Sequence, residues 1–363
     1  MKINKVSVET VILPRAVPEN FPIPDWDTLP AVVVRVSTDK GIDGIGYTIS
    51  LAHAHVRSLH ATAEELGAIL IGEDPRQPER LAAKMMYPGN WIGPGGLLNL
   101  AAAALDIAIW DIIGKETGQP LWRLLGGHAD RARVYDSGSL VNFDPDAQQR
   151  AAERSIQAGY TAMKMRPLAT RDGRPSAIAD EVRLVRDVIG YDVDLMLDIN
   201  QTFCPSRAIR VGRELEPFEL FWIEDPTAMH DVAGQAAIAR ALDVPICAGE
   251  YHYGLPPLLR LLQERAVDYL MVDLLRVGGI TQFRKVAGMA EAFGIPVASH
   301  LLPELFAHLI AAIPNGLIVE GMPWTEALFT GLPKLDDGML VLSDRPGHGL
   351  ALDEAFIQKH RVG

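Results

Sequence analysis

The sequence predicts an α/β protein in which a TIM-type barrel follows an N-terminal α+β unit. From about Arg131, short apolar runs alternate with helix-length amphipathic segments, whereas the first 125 residues place their strand-like runs before their helical ones. The chain has 363 residues. Because such a barrel needs only about 250 residues, a second unit is expected.

The first predicted unit, residues 1–125, begins with the strand-like runs "KVSVETVIL", "AVVVRVS" and "GIDGIGYTIS". Helical patterns follow, and the longest, "LLNLAAAALDIAIWDIIGKETG", is followed by Gly118 and Pro120, which end helices. Asp106 and Asp111 interrupt this apolar run. We therefore do not expect it to cross a membrane.

The second predicted unit, residues 126–333, contains eight short apolar runs: "ARVYDSGS", "TAMKMRP", "VDLMLDIN", "LFWIEDP", "VPICAGE", "VDYLMVDL", "IPVASH" and "GLIVE". Near-continuous apolar strands are typical of parallel sheets that are covered on both faces. A closed barrel and a doubly wound open sheet both fit this pattern, and eight regular units favour the barrel. The tail, residues 334–363, is strand-like and then irregular, and we expect it to return to the first unit.

Composition excludes several partners. The net charge is −12 and no Lys/Arg run is present, which argues against nucleic acid and anionic membranes. The only two cysteines, Cys204 and Cys247, make no disulfide framework, and we interpret both as packing residues. The N-terminal sequence lacks the features of a signal peptide. A cytoplasmic protein is expected.

Each predicted strand ends in a polar residue of a chemically reactive type. In chain order these residues are Tyr135 or Ser137, Lys164 with Arg166, Asp198, Glu224, Glu250, Asp273, His300 and Glu320. The steps from 198 to 224 and from 224 to 250 are 26 residues each, and the step from 273 to 300 is 27, about one βα unit. Since the carboxyl ends of barrel strands converge on one mouth, these residues are predicted to share a site.

Asp198, Glu224 and Glu250 end three consecutive predicted strands. Neighbouring strands lie about 4.8 Å apart, so three carboxylates there repel one another unless a cation lies between them. A set of oxygen ligands suits Mg²⁺. The alternative is that each acid caps the helix that follows, which explains one such residue more readily than three in register.

Asp273 and His300 also end consecutive strands, and a hydrogen bond between them would fix the imidazole tautomer and raise its basicity. Glu320 ends the last strand, either as a protonated hydrogen-bond donor or as an acid at the rim of the mouth. Lys164 and Arg166 stand two residues apart, so both side chains point to one face of a strand.

The motifs "AMKMRP", "LMLDINQ", "FWIEDP", "ICAGE", "DLLRVGGIT" and "SHLLPELFAHLIAAIPNGLIVE" closely resemble the barrel motifs of the mandelate racemase subgroup of the enolase superfamily. The resemblance covers nearly the whole chain and implies a TIM barrel of the (β/α)7β type with an N-terminal α+β capping domain completed by the C-terminal tail. It implies that the three strand-end acids bind Mg²⁺, that Asp273 and His300 form the catalytic dyad, and that Glu320 hydrogen-bonds the substrate carboxylate and its enediolate. It also implies that Asn200 is a polar neighbour of the first metal ligand.

The resemblance places Lys164 and Arg166 on a Lys-x-Lys pair, whose first lysine contacts the metal-bound carboxylate and whose second is a base facing the histidine. Here the second residue is an arginine, and guanidinium strongly resists loss of its proton. This difference disfavours racemisation, which needs a base on each face of the substrate carbon.

We therefore expect a lyase, a Mg²⁺-dependent hydro-lyase that removes the α-proton of a hydroxy-carboxylate and dehydrates an acid sugar to a 2-keto-3-deoxy acid. The alternative activity is that of an isomerase, a racemase or epimerase acting α to a carboxylate. Cycloisomerisation is disfavoured because the subgroups that perform it usually lack this His–Asp pair. A catalytically silent protein that binds carboxylates through the metal is the alternative from another class.

Substrate contacts are expected from loops of the capping domain and from the barrel mouth. The candidates for substrate binding are Trp26, His53, His55, Tyr135, Ser137, Asn200 and His252. Two histidines and few apolar residues in these loops suggest a polyhydroxylated substrate. The long apolar helix is expected to pack between domains or at a subunit contact. The resemblance implies a homo-oligomer, between a dimer and an octamer.

Overall fold

The structure is a computed structural model. It describes residues 1–15, 27–51, 53–140, 145–167 and 174–362. Strands and helices are numbered in chain order.

Eight parallel strands close into a barrel. They are β4 to β11, with bounds Arg131–Leu140, Ala162–Met165, Asp194–Asp198, Trp222–Glu224, Ile246–Ala248, Tyr269–Asp273, Val297–His300 and Gly316–Gly321. Each strand pairs with the next along the chain, and β11 pairs with β4 to close the sheet. The predicted barrel is therefore confirmed, and the open doubly wound sheet is excluded.

Helices follow the barrel strands and contact their neighbours around the outside. They are α6 to α13, with bounds Pro145–Gln157, Pro175–Ile189, Pro205–Leu215, Val232–Ala241, Pro256–Gln263, Leu274–Val277, Ile280–Ala292 and Pro303–Ala312. Several begin with proline. The N–H groups in the first turn of a helix have no intrahelical acceptor, so proline loses no hydrogen bond there, and its fixed φ suits the position.

The barrel interior is packed with side chains. Each of the eight strands contributes one buried residue to a single cluster: Tyr135, Ala162, Met196, Trp222, Cys247, Met271, Ala298 and Ile318. The Tyr135 and Trp222 rings meet edge to face, with centroids 5.5 Å apart. This cluster fills the barrel beneath the mouth.

The capping domain opens with an antiparallel sheet of β1 (Ile3–Pro14), β2 (Thr28–Thr38) and β3 (Asp43–Ile49). The helices α1 to α5 follow, with bounds Val56–Ile69, Pro78–Met86, Gly89–Ile92, Leu97–Thr117 and Leu121–Leu124. The helix α4 is long and apolar enough to span a membrane, but it is a core helix whose apolar residues are mostly buried between β3 and the barrel.

Two glycines let β3 lie directly on α4. A Cβ at Gly44 would come within 2.0 Å of the Ala108 carbonyl oxygen, and one at Gly46 within 1.9 Å of the Ala104 carbonyl oxygen. Even-numbered residues of β3 therefore face α4, and the odd-numbered residues Tyr47 and Ile49 face the barrel core.

The last part of the chain divides between the two units. Strands β13 (Lys334–Asp336) and β14 (Met339–Val341) form a hairpin, and β14 pairs with the start of β4. Strands β12 (Phe329–Thr330) and β15 (Ala351–Leu352) pair with each other. After α14 (Glu354–His360), β16 (Arg361–Val362) pairs with β1.

Candidate active site

Lys164 lies at the bottom of the mouth, near the end of β5. Its side chain is 1% exposed, and its Nζ lies 2.6 Å from Glu224 Oε1 and 2.9 Å from Glu320 Oε1. Burial opposes the charge on Lys164, but these two carboxylates outweigh it and raise the pKa of the ammonium well above its usual range. Lys164 is therefore a fixed positive charge in this site.

Arg166 follows β5 and pairs with the first predicted metal ligand. Its Nε donates to Asp198 Oδ2 at 2.8 Å. Asn200 also serves this carboxylate, donating from its backbone N to Oδ1 at 2.8 Å and from Nδ2 to Oδ2 at 2.9 Å. The pKa of Asp198 is lowered because, although burial opposes ionisation, Arg166 and Lys164 outweigh it. Asp198 is thus an ionised acid at the mouth.

Three buried carboxylates meet beside it. Ligand oxygens of Glu224, Asp225 and Glu250 all lie within 4.8 Å of one another. Burial raises the pKa of Glu224 to about 8 although the Lys164 ammonium opposes this, and repulsion from neighbouring acids adds to the effect. Burial and the same repulsion raise the pKa of Asp225 well above its usual range. The sequence predicted Asp198, Glu224 and Glu250 as the metal ligands. Glu224 and Glu250 lie in this group, Asp198 lies outside it and is hydrogen-bonded to Arg166 and Asn200, and Asp225 was missed. The available signal was its position directly after Glu224 in "FWIEDP".

This arrangement fits a divalent cation. Six buried acids, Asp198, Glu224, Asp225, Glu250, Asp273 and Glu320, face only three permanent cations, Lys164, Arg166 and Arg276, among the described residues of the mouth. Asp225 Oδ2 is buried, and no described residue hydrogen-bonds it. Carboxylate oxygens are the donors that Mg²⁺ prefers, and a cation among them removes the repulsion that raises these pKa values.

Asp273 and His300 form the predicted pair. They are aligned in the pairing of β9 with β10, and His300 Nδ1 lies 2.7 Å from Asp273 Oδ2. The other oxygen of Asp273 accepts from the backbone N–H groups of Leu275 and Arg276, both at 2.8 Å. An ionised Asp273 requires the proton on Nδ1, which leaves Nε2 as the basic nitrogen. Nε2 lies 3.2 Å from Glu250 Oε2.

The surrounding charges favour the protonated imidazole. Burial opposes the charge on His300, but the Glu250 carboxylate and the hydrogen bond to Asp273 outweigh it, so its pKa is raised. The pKa of Asp273 is lowered, because its contacts with His300 and Arg276 outweigh burial. The pair therefore has the geometry of a general base whose protonated form is stabilised.

The structure corrects the prediction that Glu320 is either an acid at the rim of the mouth or a protonated hydrogen-bond donor. It is fully buried, and it accepts hydrogen bonds from Ser137 Oγ and the Leu301 backbone N, both at 2.6 Å. Burial opposes ionisation, but Lys164 and His300 outweigh it and lower the pKa of Glu320 to about 2. Glu320 is therefore an ionised acceptor at the floor of the site, and Ser137 is one of its partners.

A cavity of about 400 Å³ adjoins the dyad, between the barrel and the capping domain. Asp273, His300, His55, Tyr253, Arg276 and Ser50 contribute polar groups, and the apolar lining side chains are Ile49, Leu51, Leu97, Leu100, Leu275 and Leu301. Polar and apolar side chains are thus equal in number in the described wall, whereas the sequence suggested few apolar residues.

Apart from His55, the described residues that were predicted to contact the substrate do not line this cavity. His53 Nε2 hydrogen-bonds Thr28 Oγ1 at 3.0 Å. His252 lines a separate small cavity, together with Asp225. Tyr135 is fully buried in the layer beneath the mouth, so the structure places it below the site and not on the cavity wall. Trp26 lies outside the described residues.

The prediction that both cysteines are packing residues is wrong for one of them. Cys247 is buried in the barrel interior, as a packing residue should be, but Cys204 is exposed at the start of α8. It lies after β6 and outside the barrel interior.

The fold and the site together define a TIM-barrel protein with a capping domain and an acid-rich mouth. Family comparison agrees with this class. Residues 4–126 match the mandelate racemase/muconate lactonizing enzyme N-terminal domain, and residues 146–356 match the enolase C-terminal domain-like family. The chain belongs to the mandelate racemase/muconate lactonizing enzyme family of the enolase superfamily, and the resemblance drawn from its motifs is confirmed.

Individual relatives are similar over nearly the whole chain. L-talarate/galactarate dehydratase of Salmonella typhimurium is 34% identical over 326 residues, 89% of this chain and 80% of its own length. A 3,6-anhydro-alpha-L-galactonate cycloisomerase of Streptomyces coelicolor is 32% identical, over 92% of this chain and 91% of its own. The crystal structure of L-talarate dehydratase from Polaromonas sp. JS666, complexed with Mg and L-glucarate, is 34% identical, with a TM-score of 0.92, covering 100% of this chain and 98% of that one.

Proposed function

We propose that this protein is a Mg²⁺-dependent acid sugar dehydratase, a lyase that converts an aldonate or aldarate to a 2-keto-3-deoxy acid. The observation that carries the proposal is the Asp273–His300 pair, with Nδ1 and Oδ2 2.7 Å apart, next to a cluster of buried carboxylates. Relatives named as dehydratases, one of them with magnesium and L-glucarate bound, support it.

Asp198, Glu224 and Glu250 would hold the metal, with Asp225 next to them. When bound, Mg²⁺ supplies positive charge beside the substrate carboxylate, where negative charge accumulates as the α-proton leaves. Lys164 adds a second fixed charge at the same place, because its Nζ is held between two carboxylates. Glu320 accepts a hydrogen bond from Ser137 and forms an ion pair with Lys164, and it thereby fixes the orientation of that ammonium.

His300 then acts as both base and acid. Its Nε2 takes the α-proton of the substrate, and Asp273 stabilises the imidazolium that results. The imidazolium returns this proton to the departing β-hydroxyl, which leaves as water. The remaining enol tautomerises to the 2-keto-3-deoxy acid. His300 ends in its starting protonation state.

Arg166 supports dehydration over epimerisation. Epimerisation needs a proton acceptor on the other face of the α-carbon. Arg166 is a guanidinium paired with Asp198, and such a group keeps its proton. Its side chain is 33% exposed, and among the described residues only the Nε of this guanidinium has a hydrogen-bond acceptor, so we infer that the other donors of its fork anchor a substrate oxygen.

The test is turnover of a panel of aldonic and aldaric acids with Mg²⁺, with the keto acid detected as its semicarbazone. Product from one or more acids supports the proposal, and no product from the whole panel contradicts it. Exchange of the α-proton with deuterium from both epimers of one acid would favour an epimerase instead. Metal-dependent binding without any exchange would favour a silent binding protein.

The cycloisomerase relative is the reason to test a second activity, because it is 32% identical to this chain. The anhydro acid named for that relative is the appropriate substrate to add to the panel. A cyclised product formed without a keto-deoxy acid would replace the dehydratase proposal. Assembly into a homo-oligomer stays a prediction.

A further inference from the structure

A buried hydrogen-bonded group joins the capping domain to the barrel beside the candidate active site. The hydroxyl of Tyr47, on β3, donates to Glu304 Oε1, on α13. The hydroxyl of Thr325 donates to the same oxygen at 2.7 Å. All three residues are 1% exposed. None of them is used in the proposed chemistry.

Tyr47 is held firmly with respect to the cavity wall. The strand β3 rests on the backbone of α4 through Gly44 and Gly46, and the Tyr47 ring packs on Phe329 with centroids 5.0 Å apart. The next residues, Ile49 to Leu51, line the cavity beside His300. Because a strand rises only about 3.3 Å per residue, a shift of Tyr47 carries this wall with it.

Glu304 is held equally firmly with respect to the base. It lies four residues after His300, and the intervening Leu301 and Leu302 have φ values of +57° and +50°. Such left-handed backbone is uncommon for leucine and persists only where the surroundings impose it. The Leu301 N–H donates to Glu320 at 2.6 Å. Movement at Glu304 is therefore transmitted to the base over a short, constrained segment.

Stability alone does not account for a carboxylate here. Burial raises the pKa of Glu304, and its second oxygen is buried without a hydrogen-bond partner among the residues that the structure describes. An apolar side chain of similar volume would avoid this desolvation. What a hydrogen bond adds over apolar packing is direction, because its strength falls steeply when donor and acceptor are misaligned.

We propose that Tyr47 is a positioning residue, whose hydrogen bond to Glu304 fixes the capping-domain wall of the substrate cavity relative to His300. The proposal rests on the proposed function, since it concerns the same cavity. It predicts that loss of this one hydroxyl loosens substrate binding more than it slows the chemical step.

Two substitutions separate positioning from stability. Tyr47→Phe and Thr325→Val each remove one hydroxyl that donates to the same Glu304 oxygen, but only Tyr47 belongs to the capping domain. Thermal melting should show both variants folded and destabilised by similar amounts. Tyr47→Phe is expected to raise KM about tenfold, roughly 1.4 kcal/mol of binding free energy, with kcat within about twofold. Thr325→Val should keep both constants within about twofold of wild type.

A second measurement does not depend on turnover. Backbone amide exchange at residues 45–51, followed by mass spectrometry, should accelerate in Tyr47→Phe and not in Thr325→Val. Equal kinetic effects in the two variants, or unchanged KM and exchange in Tyr47→Phe, would overturn the proposal. If wild type turns over no acid in the panel, the proposed function fails, and the exchange measurement still decides the role of Tyr47.

Discussion

Replacing Asp273 with asparagine tests whether the Asp–His pair is a general base. The carboxylate accepts from His300 Nδ1 through one oxygen, at 2.7 Å, and from two backbone N–H groups through the other. Asparagine keeps an oxygen for the backbone groups, so the start of α11 is preserved. Its amide N–H₂ then faces His300, which must accept at Nδ1 and carry its proton on Nε2. The nitrogen aimed at the metal site is no longer basic.

The size of the effect follows from these contacts. Loss of one hydrogen bond to a charged group costs about 1.5–3 kcal/mol, which is roughly 10- to 150-fold in rate. The wrong tautomer adds to this, and the same substitution in a Ser-His-Asp triad lowers kcat by about 10⁴. We therefore expect kcat/KM of Asp273→Asn to fall by roughly 10² to 10⁴.

The assay is formation of the keto acid together with exchange of the substrate α-proton in D₂O, and both should fall together. Asp353→Asn is the matched control, because Asp353 also caps a helix, accepting from the Phe356 N–H at 2.9 Å, without a histidine partner. The control should retain wild-type activity. If Asp273→Asn stays within tenfold of wild type while folded, the assignment of His300 as the base is refuted.

Three further predictions address the second cation, the metal and a buried acid. Arg166→Lys introduces a side chain that can lose its proton. Exchange of the substrate α-proton, followed by NMR in D₂O, should then appear for the epimer that wild type leaves unexchanged. If that epimer still shows no exchange, the permanent charge at position 166 is not what limits epimerisation. Glu250→Gln should weaken Mg²⁺ binding at least tenfold by titration calorimetry, and an unchanged affinity would remove Glu250 from the ligands. Asp106, fully buried against Thr281, has its pKa raised to about 7 by burial, above its value of about 3.9 in the unfolded chain. The folded state then holds a proton that the unfolded state has released, so wild type loses stability as pH rises through this window. Between pH 5 and 7 the free energy of unfolding should fall by about 2 kcal/mol more in wild type than in Asp106→Asn; parallel urea unfolding curves at both pH values would contradict this.

Much of the site was predictable because a barrel converts chain order into spatial order. Once eight βα units are recognised, the carboxyl end of every strand must reach the same mouth. Asp198, Glu224 and Glu250 could therefore be grouped from their 26-residue spacing alone. The pairing of Asp273 with His300 follows from the same rule, since the two residues end neighbouring strands.

Side-chain direction beyond the strand ends was not predictable in this way. Asp225 follows Glu224 with φ at +41°, outside the alternation of a regular strand, and it points towards the carboxylate cluster. Tyr135 stands two residues before Ser137 on β4, and it packs inside the barrel, whereas Ser137 reaches Glu320. The depth of a residue along the barrel axis, as well as its face, separates these two roles.

The sequence by itself determined the fold class, the residues that gather at the mouth and the identity of the second cation, because these depend on periodicity, spacing and residue type. Only the tertiary structure decided which oxygen meets which cation, that Glu320 is buried and ionised, and that Tyr47 reaches Glu304 across 257 positions of sequence. Those outcomes depend on how two separately folded units pack, and no local pattern in the chain encodes the distances between them.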